Sequence, residues 1–297
     1  MPVGPGTDGT NAVPAASILA VPARLAPAQP MPVSVSAPRL DRHSGFHSRF
    51  LDRSRDLVVY LPPGYDDDRG RRYPVLYMHD GQNLFDPATS FVRGQYWRLG
   101  EMADMLIAEG RVQPLVIVGV NHAGTSRVEE YTPTRDRRLG GGHAKTYGRF
   151  LIEELKPFVD ARYRTLPDRQ HTGLGGSSLG GLSTLFLGLR HADVFGKLAV
   201  LSPSVWWGRR AILRYVARVG PKPDTRIWLD IGGAEGRVAI TDVRRLRAAL
   251  VAAGWRDHAD LRYVEPAGAT HSEAAWADRV GNVLEYLFPT DLGGWHF

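Results

Sequence analysis

Thr172-Gly173-Leu174-Gly175-Gly176-Ser177-Ser178-Leu179-Gly180-Gly181-Leu182 decides how the rest of this chain is read. A short run of apolar and small residues ends in Gly176-Ser177-Ser178-Leu179-Gly180 and passes directly into the helix-like stretch Leu182 to Leu189. A G-x-S-x-G pattern at a strand-to-helix junction is the context that a nucleophile elbow requires. A turn sharp enough to aim a serine hydroxyl outward strains the serine backbone, and the flanking chain closes around it only where Gly176 and Gly180 carry no Cβ. The frame therefore selects Ser178, not Ser177. The helix begins at that serine, so the Leu179 N–H and the positive end of the helix dipole face the place where an oxyanion would form. With 33 glycines in 297 residues, chance alone supplies about 0.2 such patterns, so the surrounding chain has to carry the argument.

Composition sets the bounds. At 43% hydrophobic content the chain can bury a large core, and one α/β domain is the natural count. There is no cysteine, which excludes disulfides, thiolate metal sites and cysteine nucleophiles. The net charge of +6 is carried mainly by arginines dispersed among acidic residues, as in Arg135-Asp136-Arg137-Arg138. No continuous basic stripe is interleaved with aromatics, so nucleic acid is not an expected partner. No apolar run approaches the ~18 residues of a membrane span. The mildly apolar stretch Ala12 to Ala28 is broken by Pro14, Pro22 and Pro27 and makes a poor leader peptide. The expectation is a cytoplasmic protein, with export left open.

Residues 1–40 read as an extended or disordered Pro/Ala-rich arm and residues 41–297 as a single domain. Within the domain, Phe46 to Phe50 and Asp56 to Leu61 are expected as antiparallel strands, and Tyr73 to Met78 as a strand buried on both faces. Trp97 to Glu109 has helical spacing, Pro114 to Val120 is a second buried strand, and Lys145 to Tyr163 is a long helix that Pro157 kinks or divides. After the serine turn come strand Leu198 to Leu201, helix Arg209 to Val219, strand Arg226 to Ile231, helix Val238 to Ala253, strand Asp260 to Val264 and helix Ser272 to Leu287. Strands alternating with helices at this spacing call for a mostly parallel sheet covered on both faces. Ligands of such sheets bind beyond the carboxyl ends of the strands.

Three of those carboxyl-end loops hold what a serine nucleophile needs. A serine hydroxyl requires a base, and the base requires an acid to orient it. Ten histidines dilute the choice, yet His271 alone combines a position after the final strand with a Gly-containing loop before the final helix. For the acid, Asp230-Ile231-Gly232-Gly233-Ala234-Glu235 offers two candidates. Glu235 is preferred because it lies beyond the strand, Asp230 stands second as a residue within it, and Asp242 third. The order Ser178, Glu235, His271 is that of the α/β-hydrolases. A second oxyanion donor should come from Asp80-Gly81-Gln82, through the Gln82 N–H.

Several blocks in order carry a resemblance: Val59-Tyr60-Leu61-Pro62-Pro63-Gly64-Tyr65, Tyr77-Met78-His79-Asp80-Gly81-Gln82-Asn83-Leu84-Phe85-Asp86, Arg127-Val128-Glu129-Glu130-Tyr131-Thr132-Pro133, Gly176-Ser177-Ser178-Leu179-Gly180-Gly181 and Leu201-Ser202-Pro203-Ser204-Val205-Trp206-Trp207. From about Phe46 to Leu287 the chain resembles the Putative esterase family of α/β-hydrolases, which includes esterase D-like, siderophore, feruloyl and acetylxylan esterases and mycolyltransferases. The resemblance implies nucleophile Ser178, base His271, acid Glu235 and oxyanion donors at Gln82 and Leu179. The residue after the serine is often Met in the family and is Leu179 here, a change that leaves a backbone donor untouched.

On the substrate side, Arg127, Glu130 and Tyr131 lie on the loop after the Val116 to Val120 strand, facing the same edge, and either bind substrate or form a buried Arg–Glu pair that shapes the pocket wall. Trp206 and Trp207 are either stacking platforms for an aromatic or a sugar, or core. The reading is a carboxylic ester hydrolase working through an acyl-enzyme without metal or cofactor on a small-molecule or carbohydrate-linked ester. The rivals are an acyltransferase on the same residues and a non-catalytic binding protein of the same fold.

Overall fold

The computed structural model describes residues 36–290. An eight-stranded sheet runs in the order β1-β2-β4-β3-β5-β6-β7-β8, from β1 (Arg39–Phe46), β2 (Arg55–Leu61), β3 (Val75–His79), β4 (Val116–Val120), β5 (Thr172–Ser177), β6 (Lys197–Leu201), β7 (Arg226–Asp230) and β8 (Leu261–Val264). The pairs β1–β2 and β2–β4 are antiparallel and all others are parallel. This is the α/β-hydrolase fold.

Alternation along the strands divides the core in two. Leu57, Val59, Tyr77, Val118, Leu174, Val200 and Leu229 point to one face. They are covered there by α3 (Ala144–Arg149), α4 (Lys156–Arg162), α5 (Leu179–Arg190), α6 (Trp207–Val216) and α7 (Arg237–Ala252). Tyr60, Leu76, Met78, Ile117, Leu201 and Trp228 point to the other face, under α1 (Leu99–Ala108) and α8 (Glu273–Leu287). The short α2 (Ser126–Tyr131) follows β4.

Three expectations are corrected. The first strand is not Phe46 to Phe50 but Arg39–Phe46, with an irregular register between His43 and Phe46. It is an edge strand whose alternation is masked by Arg39, Asp41, Arg42 and His43, the kind of charge that keeps an exposed edge from pairing with other chains. The arm is consequently shorter than residues 1–40: the Ser36 carbonyl accepts from Gly64 N at 2.9 Å and its N–H donates to Asp67 at 2.8 Å. The remainder of the arm lies outside the described residues. Finally, the long helix is α3 and α4 joined by a π-helical turn, Phe150–Leu155. Pro157, in the first turn of α4, cannot donate to the Glu153 carbonyl, which accounts for the widened turn before it.

Candidate active site

At the end of β5 the chain turns through Ser178 with φ 58° and ψ −122°. That is a region non-glycine residues avoid, at a cost of about 1–3 kcal/mol. The turn is clamped from β6: Ser178 N donates to Leu201 O (3.1 Å) and Ser204 N donates to Ser178 O (3.0 Å). A Cβ on Gly176 would lie 3.0 Å from the His79 side chain and 3.1 Å from the Gly180 carbonyl carbon, and one on Gly180 3.2 Å from His79. What fills the space under the turn is thus the buried His79 ring, whose Nδ1 is 3.1 Å from the Tyr147 hydroxyl. Burial pushes this imidazole down to about 4.

Across from the turn, Asp80 is left-handed (φ 57°, ψ 46°) and opens a single 3-10 turn over Gly81–Asn83. Its carboxylate takes two 2.7 Å hydrogen bonds from Arg127, through Nε and Nη2. Its N–H donates to the Tyr131 hydroxyl at 3.2 Å. Both contacts hold the loop that carries Gln82. Among the described residues no acceptor takes the backbone N–H of Gln82 or of Leu179.

Glu235 and His271 meet because two loops lie tightly together. Gly233 N donates to Pro266 O and Ala234 N to Ala269 O, both at 2.9 Å. A Cβ on Gly232 would sit 2.2 Å from Ala269 O, so only glycine permits this approach. Glu235 thereby reaches His271, with Oε2 2.6 Å from Nδ1. Its Oε1 accepts from the Ser202 hydroxyl (2.6 Å) and from Gly232 N (2.8 Å). The Glu235 side chain is 2% exposed and that of His271 45%. Burial pushes the Glu235 carboxyl upward, but the hydrogen bonds from His271, Ser202 and Gly232 outweigh it and hold it below the ordinary carboxylate value.

Asp230, the second candidate acid, is occupied elsewhere. It lies two residues beyond Trp228 on the same face of β7 and so points at α8, where Arg279 Nε and Nη2 donate to it at 3.2 and 3.1 Å. Trp228 Nε1 (2.8 Å) and Ser202 N (3.1 Å) complete its shell. Burial pushes its carboxyl up against the pull of these donors. Asp242, the third candidate, is buried on α7 and paired with Arg210 at 2.6 Å.

Ser178 and His271 open onto one cleft of about 630 Å³, together with Asp80, Asn83, Phe91, Val92, His122, Arg127, Val128, Glu273 and Trp276. No hydrogen bond joins the Ser178 hydroxyl to His271 among the described residues; the recorded neighbour is Ser204 Oγ, 3.4 Å away. Of the expected substrate residues, Arg127 lines the cleft. Glu130 and Tyr131 do not: Glu130 is buried in an ion pair with Arg55, and Tyr131 is buried against His79 and Tyr147. The expected pair of Arg127 with Glu130 is not made: Arg127 is paired with Asp80 and Glu130 with Arg55, which lies on β2. Trp207 is core, donating its indole N–H to Thr134 O at 2.7 Å. Trp206 is 51% exposed and borders a separate groove with Pro203, Val205 and Val238.

Sequence reasoning passed over Phe91, Val92 and Trp276 as cleft residues, since an apolar side chain in a loop or first helical turn carries no signal of which way it faces. It also passed over Ser202, although the quoted block Leu201-Ser202-Pro203-Ser204 contained it.

The Putative esterase family matches residues 48–284, most of this chain. The chain belongs to that family. This esterase is 26% identical over 249 residues to the uncharacterized protein YbbA of Bacillus subtilis, a match covering 79% of this chain and 93% of YbbA. It is 31% identical over 164 residues to an endo-1,4-beta-xylanase/feruloyl esterase of Xylanibacter ruminicola, covering 53% of this chain and 20% of that protein. Among solved structures, the enterobactin esterase FES from Shigella flexneri in the presence of enterobactin superposes with a TM-score of 0.67 at 19% identity, over 86% of this chain and 59% of FES. The family assignment makes the protein a carboxylic ester hydrolase.

Proposed function

We propose that this esterase works through an acyl-enzyme formed on Ser178, with His271 as the base and Glu235 as its acid. The observation that carries this reading is the 2.6 Å contact between His271 Nδ1 and Glu235, on a ring that opens to the same cleft as the strained Ser178 turn. Glu235 holds the Nδ1–H tautomer, leaving Nε2 free to accept a proton. His271 takes the Ser178 proton as the oxygen attacks the ester carbonyl, and the negative charge on the former carbonyl oxygen is met by the Gln82 and Leu179 N–H groups. Collapse breaks the bond to the alcohol, which leaves with the proton from His271. Water then enters, gives a proton to His271 and attacks the acyl carbonyl; collapse breaks the bond to Ser178, whose oxygen takes that proton back from His271 as the acid is released.

The free backbone donors at Gln82 and Leu179 support the oxyanion assignment, and loss of one such donor typically costs about 10²–10³ in rate. The substrate we propose is a small-molecule or carbohydrate-linked ester, in keeping with the size of the cleft and with the enterobactin and feruloyl esterases among the similar proteins. Arg127 and Trp276, on opposite chemical terms, would meet its polar and apolar parts.

The test is hydrolysis of p-nitrophenyl esters from acetate to decanoate by wild type and Ser178→Ala, with EDTA present. The expected result is activity that survives EDTA, peaks at one chain length and vanishes with Ser178. Retention of more than roughly a tenth of the wild-type rate by a folded Ser178→Ala would overturn the assignment.

A further inference from the structure

Ser202 follows β6 in a left-handed conformation, φ 40°, and is buried. Its hydroxyl is the meeting point of three side chains. Trp276 Nε1 and Arg279 Nη2 each lie 3.0 Å from Oγ, and Glu235 Oε1 lies 2.6 Å from it. Indole and guanidinium nitrogens can only donate, and a hydroxyl has one proton and two acceptor lone pairs. With both lone pairs taken, the single proton is left one direction, toward Glu235. The backbone of Ser202 is fixed from the other side, its N–H donating to Asp230 O at 3.0 Å and to Asp230 Oδ1 at 3.1 Å.

We propose that Ser202 is a positioning residue for Glu235: its hydroxyl, oriented by Trp276 and Arg279, fixes Oε1 and so turns Oε2 to His271. This rests on the Ser178–His271–Glu235 reading. The arrangement is a relay of orientation rather than of protons. Asp230 anchors Arg279, Arg279 and Trp276 orient the Ser202 hydroxyl, and that hydroxyl with Gly232 N holds one carboxylate oxygen. Trp276 also sets its ring edge-on to His271, with centroids 5.0 Å apart and planes at 80°, so one indole touches both the base and the residue that positions the acid.

The charged and titratable groups around Glu235 among the described residues are His271 on the loop before α8, Arg279 on α8 at 4.0 Å from Oε1, and Asp230 on β7 behind Ser202. Taking away the hydroxyl leaves Oε1 with the Gly232 N–H alone. The carboxylate then becomes more basic and protonates at a higher pH. That moves the acid limb of the rate profile upward, because Glu235 must be ionised to hold His271.

The experiment is the pH profile of kcat/KM for Ser202→Gly on the best p-nitrophenyl ester, alone and combined with Glu235→Gln. Glycine tolerates the positive φ, so this variant removes the hydroxyl with the least disturbance of the backbone. The expected result is a fall in kcat on the order of tenfold, KM within about twofold, and an acid limb displaced upward by roughly half a pH unit or more. In the Glu235→Gln background the same change should alter kcat by less than about twofold, since no carboxylate remains to be held. An unmoved acid limb, or losses that add in the double variant, would reduce Ser202 to a packing role and overturn the proposal. If Ser202→Gly does not fold, Ser202→Ala is read by the same criteria, and failure of both to fold would place Ser202 in the core rather than in the catalytic arrangement. Full activity in Glu235→Gln would instead overturn the catalytic reading itself, an outcome distinguishable from a normal profile for Ser202→Gly beside an inactive Glu235→Gln.

Discussion

The carboxyl edge of the sheet holds similar residues twice over, once sealed behind the strands and once beside the cleft or the neighbouring groove. Asp230 and Glu235 are five positions apart, Trp206 and Trp207 are adjacent, and His79 ends β3 while His271 lies on the loop after β8. Two of the sealed members have their polar groups met internally, Asp230 by Arg279, Trp228 and Ser202 and Trp207 by Thr134, while the buried His79 bonds through Nδ1 and leaves Nε2 without a partner among the described residues. Their counterparts differ: the His271 side chain is 45% exposed and Trp206 51% exposed, whereas Glu235 is 2% exposed and spends one carboxylate oxygen on His271. Side-chain type thus says little about role here. What separates the two carboxylates is the partner each one holds: Asp230 is bonded to an arginine of α8 behind the sheet, Glu235 to a histidine that faces the cleft.

The largest expected effect separates the carboxylates. Glu235→Gln should lower kcat by roughly 10³–10⁴ while leaving the thermal transition nearly unchanged, because the amide holds the wrong imidazole tautomer without emptying the core. Asp230→Asn should do the opposite. Removing one partner of its buried ion pair costs about 3–5 kcal/mol of stability, measured by denaturant unfolding, while the rate per folded molecule stays within a few-fold. The reverse ranking of the two in rate would transfer the acid role to Asp230.

Next in size is Trp207→Ala, which should cost about 3 kcal/mol or more by emptying a core site and orphaning the Thr134 carbonyl. The sealed histidine gives a smaller, pH-dependent effect. The native state holds His79 neutral down to about 4, against 6.5 in the unfolded chain. Between those values the unfolded chain binds a proton that the native state refuses, so stability falls as pH falls. Taking the fold from pH 7 to pH 5 should cost about 2 kcal/mol from this residue. Urea unfolding at the two pH values measures it, and a folded His79→Gln variant should lose that part of the slope. The smallest effect is Trp206→Ala, within about 0.5 kcal/mol in stability, since its side chain is largely in solvent. A stability loss as large as that of Trp207→Ala would erase the distinction between the two sets.

The legible parts of the sequence were those with local causes. Continuous apolar runs such as Tyr73 to Met78 and Pro114 to Val120 had to be central strands; the first overlaps β3, which runs one residue further to His79, and the second contains β4. The Gly-x-Ser-x-Gly turn could be read because its strain is a matter of backbone sterics within five residues. The edge strand β1 was misplaced because solvent on one side and charge along its length remove the period-two signal. The helix over Lys145 to Tyr163 could be drawn, but not the π-helical turn inside it, which depends on how Pro157 is accommodated.

By itself the sequence determined the alternating α/β order, the strained serine at the head of α5 and the set of loops in which its partners had to be sought. Only the tertiary structure decided which carboxylate lies against His271 and which against Arg279. Glu235 reaches the histidine because Gly232 and Gly233 let two loops close to within hydrogen-bonding distance, whereas the two-residue repeat of β7 turns Asp230 to α8. Burial and the supply of donors are properties of elements distant in the chain, and no local pattern encodes them.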